Sequence, residues 1–121
     1  MGEKILVVDD DKILLESLDN ILVHEHFHTR RVAKAEEIER VVEEFKPDLI
    51  VMDIRLDTAD GRTICDKLKS ASSTSHIPIV LLTGLSYDEI SRTDCLADAI
   101  IGKPFENGSL LYTINQCMEN A

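Results

Sequence analysis

At 121 residues, 44% hydrophobic and 30% charged, the chain is long enough for one domain with a continuous core and too apolar to be disordered. Only 4% is aromatic and there is no Trp, so the core has to be aliphatic. Lys and Arg number 13 against 23 Asp and Glu, a net charge of −10 without a basic stripe, which argues against direct nucleic-acid binding because phosphate backbones require clustered cations.

Cys65, Cys95 and Cys117 lie far apart, odd in number and without a CxxC spacing, so they read as reduced thiols. No apolar stretch approaches the ~20 residues needed to span a bilayer. The chain enters its first strand almost at once, leaving no room for a signal peptide. The expectation is a cytoplasmic protein, or a cytoplasmic piece of one, with no membrane partner.

In chain order, an apolar run at 4–8 ends on Asp9, Asp10 and Asp11 and reads as a strand. A helix over 11–25 follows, with Asp11 as its N-cap and Leu14, Leu18, Ile21 and Leu22 on one face. A weak strand at 29–33 precedes a second helix over 35–45, which buries Ile38, Val41, Val42 and Phe45 and stops before Pro47. The third strand, 49–53, ends on Asp53. A helix from Gly61 to Lys69 turns Ile64 and Leu68 inward, and a polar loop over 70–75 leads to a fourth strand at 79–83, ending on Thr83. A fifth strand at 98–102 ends before Lys103, and a last helix over 106–118 carries Leu110, Leu111, Ile114, Cys117 and Met118.

Continuous apolar runs separated by helix-length segments describe a parallel sheet covered on both faces. The expected fold is an α/β, flavodoxin-like, doubly wound (βα)5 three-layer sandwich occupying residues 1–121 as one domain. Its strand order, 2-1-3-4-5, is taken from the known doubly wound folds. Parallel strands end on one edge, so Asp9, Asp10, Asp53, Thr83 and Lys103 should meet there. Close carboxylates repel, and one ammonium does not neutralise three of them. An all-oxygen, carboxylate-rich set without His or Cys selects a hard divalent cation, and Mg2+ suits a site that also shares oxygens with a phosphate. Thr83 and Lys103 supply a hydroxyl donor and a point charge for the remaining phosphoryl oxygens.

Over its whole length the chain resembles the receiver domain of two-component response regulators. The resemblance rests on Asp9-Asp10 after strand one, Asp53 after strand three, the Asp60-Gly61 turn, Thr83-Gly84 after strand four, and Lys103-Pro104-Phe105 after strand five. It implies a stoichiometric phospho-acceptor, not a turnover enzyme. Asp53 would take a phosphoryl group from a histidine kinase or histidine phosphotransfer protein. Asp10, Asp53 and the backbone carbonyl of Arg55 would ligate Mg2+ directly, with Asp9 acting mainly through water. Thr83 would hydrogen-bond the acyl phosphate and Lys103 would pair with it, next to a Lys103–Pro104 bond that is often cis in such domains. Output would pass to a protein partner or to an effector domain beyond this chain.

Several positions depart from the pattern. Ile100 replaces the aromatic residue that usually swings inward, Asp57 replaces the proline four residues after the acceptor, and Ala59 replaces a larger apolar residue. Thr83 and Lys103 are only 20 positions apart, so the helix around 87–95 is expected to be short, irregular or mobile. Arg55 and Leu85, two residues after Asp53 and Thr83, flank the path of an attacking water and predict slow autodephosphorylation.

Two other readings stand beside this one. Asp9-Asp10-Asp11 contains the DxD of haloacid-dehalogenase-type phosphatases, with Asp9 as nucleophile and Asp11 as acid/base, but that reading leaves Asp53 without a role. A receiver-like interaction module that signals without phosphorylation is the other. His24, His26 and His28 form an HxHxH series that straddles a helix end and a strand start, so their rings need not share a face.

Overall fold

The computed structural model describes residues 2–57, 59–84 and 95–121. Strand β1 (Lys4–Val8) leads to helix α1 (Lys12–His24), strand β2 (His28–Val32), a 3-10 turn (Ala35–Glu37) and helix α2 (Ile38–Phe45). Strand β3 (Leu49–Asp53) is followed by a small hairpin, β4 (Arg55–Leu56) and β5 (Ala59–Asp60), and by helix α3 (Gly61–Ser70). Strands β6 (Ile79–Thr83) and β7 (Ala99–Gly102) and helix α4 (Asn107–Glu119) complete the described elements. The helix expected around 87–95 lies almost wholly outside the described residues, as does Leu85.

The sheet order is β2-β1-β3-β6-β7 and every pairing is parallel, which is the doubly wound order expected from the sequence. Alternating residues feed two cores. Ile5, Val7, Leu49, Val51, Val80 and Leu82 pack with Leu15, Leu18 and Leu22 of α1 and with Leu110 and Ile114 of α4. Leu6, Val8, Ile50, Met52, Ile79 and Leu81 face the other way, toward Ile38, Val41 and Val42 of α2 and Cys65 and Leu68 of α3. Each fully buried aliphatic side chain stabilises by roughly 1.5–3 kcal/mol, so β3, buried at all five positions, is anchored from both faces.

The helices start and stop for local reasons. Asp11 is extended and its carboxylate accepts from the N–H groups of Ile13 and Leu14, at 3.0 and 3.2 Å, which fixes the start of α1. The buried stripe of α1 is Leu15, Leu18 and Leu22, with Leu14 packed against the same core and Ile21 half-buried. The predicted face is thus turned by one residue, because positions 14 and 21 each lie next to the central i, i+3, i+7 line. Lys46 closes α2 in the left-handed region, at φ 51°, one residue before Pro47. Strand β2 begins one residue earlier than expected and is an exposed edge, which is why its pattern was weak.

Hydrogen bonds continue the sheet past the strand ends: Asp9 N–H to Val32 C=O at 3.1 Å, Ile54 N–H to Leu82 C=O at 2.9 Å, and Lys103 N–H to Thr83 C=O at 2.7 Å. These bonds hold the residues just beyond the strands in register at one edge. Among the described residues, no helix is long and apolar enough to cross a membrane.

Candidate functional site

Asp53 ends β3 and is 7% exposed, while Asp9, just after β1, is fully buried. Thr83 ends the neighbouring strand β6 and is also buried, at 2%. Asp10 is exposed beside them. One carboxylate oxygen each from Asp9, Asp10 and Asp53 lies within 4.8 Å of the others. From the far side of the sheet edge, Lys103 Nζ reaches Asp53 Oδ2 at 3.2 Å and Asp9 Oδ2 at 3.5 Å. The Lys103–Pro104 peptide bond is cis.

Burial is the largest influence on Asp9 and pushes its carboxyl above the usual value. The Asp11 N–H, which donates to Asp9 Oδ1 at 2.9 Å, and the Lys103 ammonium pull it down, while the charge of Asp53 pushes it up again. Holding three acids together with one ammonium leaves negative charge uncompensated. Oxygen donors at this spacing fit a hard divalent cation such as Mg2+, which tolerates few protein ligands because it keeps several waters. The arrangement therefore gathers carboxylate oxygens able to seat a cation and an ammonium at one end of the sheet.

Two further contacts shape the rim. The Asp57 N–H donates to Asp10 Oδ2 at 2.7 Å, with Asp57 itself at φ 54°. Gly61, the first residue of α3, lies so close to β3 that an added Cβ would meet the Asp53 carbonyl oxygen at 2.4 Å. Its N–H donates to Ile54 C=O at 2.6 Å. Asp60 caps α3 by accepting from Arg62 N–H at 2.8 Å, and the Arg62 guanidinium, 2.9 Å from Asp60 Oδ2, holds that carboxyl below its ordinary value.

The structure thus brings Asp9, Asp10, Asp53 and Lys103 into contact distance and sets Thr83 on the adjoining strand end. Arg55 sits on β4, exposed, in the loop that leaves Asp53. Ile100 packs half-buried against the α2/α3 side of the sheet. Among the described residues, Asp9, Asp10 and Asp53 are the one group of three such ligands. His24, His26 and His28 do not form one: they occupy the end of α1, a left-handed turn position at φ 70°, and the start of β2. Sequence reasoning missed the contact from Asp57 and the close approach at Gly61. The sequence held only partial signals: an Asp where a proline was expected restores an N–H without naming what accepts it, and a glycine opening a helix marks a turn without naming the atom it spares.

A model of the response regulator receiver domain matches residues 5–115 of the chain. The transcriptional regulatory protein GltR of Pseudomonas aeruginosa is 32% identical over 123 residues, covering 99% of this chain and 50% of GltR. The chain spans about half the length of the curated relatives it matches. Among solved structures, the signal receiver domain of a histidine kinase from Syntrophus aciditrophicus is 30% identical with a TM-score of 0.91, over 99% of this chain and 92% of that one. The receiver domain of sensor histidine kinase PA1611 from Pseudomonas aeruginosa, solved with a magnesium ion coordinated in its active site cleft, shares the fold with a TM-score of 0.87 at 23% identity, over 98% and 99% of the two chains.

Proposed function

The chain belongs to the response regulator receiver family, and from that premise we propose that Asp53 is its phospho-acceptor, charged through a Mg2+ site built from Asp9, Asp10, Asp53 and the backbone carbonyl of Arg55. Receiver domains are phosphorelay signalling modules, and the reading here assigns residues to that role. One observation carries it: Asp53 is the carboxylate that stands 3.2 Å from the Lys103 ammonium and also shares a cluster of oxygens, all within 4.8 Å of one another, with Asp9 and Asp10.

In this reading an Asp53 oxygen attacks the phosphorus of a phosphohistidine. The N–P bond breaks, the imidazole leaves with a proton, and an acyl phosphate remains on Asp53. Mg2+, when bound, offsets charge on the transferring oxygens. Asp9 and Asp10 hold the cation seat, and Asp9 also orients Lys103 through the 3.5 Å contact. Lys103 and the Thr83 hydroxyl take the phosphoryl oxygens that the cation leaves free. The donor is a histidine kinase or histidine phosphotransfer protein. The signal leaves through a protein partner or an effector domain outside residues 1–121, and the chain works in the cytoplasm as a stoichiometric acceptor, not as a turnover enzyme. The phosphatase alternative would use Asp11 as acid/base, but Asp11 Oδ1 caps α1 by accepting from the N–H groups of Ile13 and Leu14, and that reading still gives Asp53 no role.

The test is uptake of phosphoryl from acetyl phosphate, followed by intact mass with Mg2+ and with EDTA, for the wild type and for Asp53→Asn. One Mg2+-dependent adduct that disappears in Asp53→Asn is expected. Undiminished uptake in Asp53→Asn would overturn the assignment, and no uptake by the wild type would support a module that signals without phosphorylation.

A further inference from the structure

Asp10 is the exposed member of the acid cluster and lies in the short loop between β1 and α1, ahead of the helix cap. It neighbours the negative charges of Asp9 and Asp53, and repulsion alone would turn its side chain out to water. A contact that opposes this comes from a residue 47 positions away: the Asp57 N–H, at 2.7 Å from Oδ2. A hydrogen bond to a charged acceptor is among the stronger ones, and it leaves the second oxygen of Asp10 free.

The donor is itself held in place. Asp57 follows β4, whose Leu56 pairs with Ala59 and whose Arg55 pairs with Asp60. The base of that hairpin is tied to the sheet by Ile54 N–H on Leu82 C=O and by Gly61 N–H on Ile54 C=O. Leu56 is buried in the core on the α2/α3 side, so the hairpin cannot drift from β3. The backbone at Asp57 has φ 54°, a left-handed conformation that Asp, Asn and Gly adopt readily. A proline, the residue the receiver pattern places here, has φ near −65° and no N–H, so it supports neither the conformation nor the bond.

We infer that the backbone N–H of Asp57 is a positioning donor that holds Asp10 facing the cation seat, so that divalent-cation affinity depends on the backbone at position 57 and not on its carboxylate. The inference rests on the proposed assignment of Asp9, Asp10 and Asp53 to Mg2+. Residue 57 touches no reacting atom; it acts through Asp10. The loop that leaves the acceptor strand and the loop that leaves β1 are thereby joined at the site before any cation arrives.

The test is calorimetric titration with Mg2+, without phosphodonor, of the wild type, Asp57→Asn, Asp57→Gly, Asp57→Pro, and a chain in which residue 57 is the α-hydroxy analogue of Asp, turning the amide into an ester. Asn and Gly keep the N–H and the left-handed backbone, and should bind within about twofold of the wild type. The ester removes only the donor and should weaken binding about tenfold, as loss of a charge-assisted hydrogen bond does. Pro should weaken binding at least as much, and the ester decides the matter if Pro disturbs folding. An ester that binds as well as or better than the wild type would overturn the inference, as would equal losses in Asn, Gly and the ester. A wild type that fails to bind Mg2+ would instead bring down the parent reading of the site.

Discussion

Lys103 Nζ lies 3.2 Å from Asp53 Oδ2, and the same ammonium reaches the fully buried Asp9 at 3.5 Å. One ammonium thus serves both Asp53, the proposed nucleophile, and the acid beside it. Lys103→Met keeps the length of the side chain and removes the charge. Phosphoryl uptake should slow about 100-fold, the usual cost of losing one fixed charge-stabilising group. The metal-free fold should also lose about 1–3 kcal/mol, because two buried carboxylates lose their partner. Initial uptake rates and urea denaturation measure the two effects separately, and saturating Mg2+ should recover part of the second and little of the first.

Asp9→Asn should act in the opposite direction on stability. Burial raises the Asp9 carboxyl in the folded state above its ordinary value of 3.8. A group raised in this way favours folding below its unfolded pKa, and that contribution fades as pH rises through the folded pKa, so at neutral pH the charge is a burden. Removing it should stabilise the metal-free protein by about 1 kcal/mol, a rise in Tm of roughly 3–6 °C. Mg2+ affinity should fall in the same variant. Thermal melts in EDTA at pH 7, paired with a Mg2+ titration, check both.

Gly61→Ala places a methyl group where the Asp53 carbonyl oxygen already stands, at 2.4 Å. Neither backbone can yield without moving α3 or the end of β3. A loss of about 1–3 kcal/mol is expected, as for other overpacked sites. Because the clash falls on Asp53, the proposed acceptor, uptake by the folded fraction should also slow. A variant that melts lower yet takes up phosphoryl at the wild-type rate would show that the strain is absorbed by α3 alone.

Arg62 holds the Asp60 carboxyl below its ordinary value of 3.8, and Asp60 caps α3. A depressed pKa contributes stability above the unfolded value and loses it as pH falls through the folded one. Arg62→Ala should therefore destabilise the protein at pH 7, and the difference from the wild type should shrink below about pH 3.8 as Asp60 protonates in both. Because Asp60 is partly exposed, solvent screening keeps the effect small, about 1 kcal/mol or less. Urea midpoints across pH 3 to 7 follow it.

What the sequence made legible was the sheet edge. β3 and β6 run as expected from 49 to 53 and from 79 to 83, because runs buried on both faces leave no ambiguity of period. The polar residues that end those runs meet because parallel strands share a direction. Edges and turns were less legible. The exposed pattern of β2 carries little apolar signal, and the two-residue strands β4 and β5 are too short to show a period at all. The bond from Asp57 to Asp10 joins residues 47 positions apart through a left-handed turn in a non-glycine residue, and no local pattern announces such a contact. The close approach at Gly61 was readable as a turn, but the atom it spares, the Asp53 carbonyl, emerges only from the packing of α3 on β3.

The most direct test of the central claim is to locate the phosphoryl group. The protein is charged with acetyl phosphate and Mg2+, the acyl phosphate is reduced with borohydride to homoserine, and the modified peptide is sequenced by mass spectrometry. The account predicts homoserine at position 53 and nowhere else. Homoserine at position 9 would contradict it and return the site to a phosphatase-like chemistry.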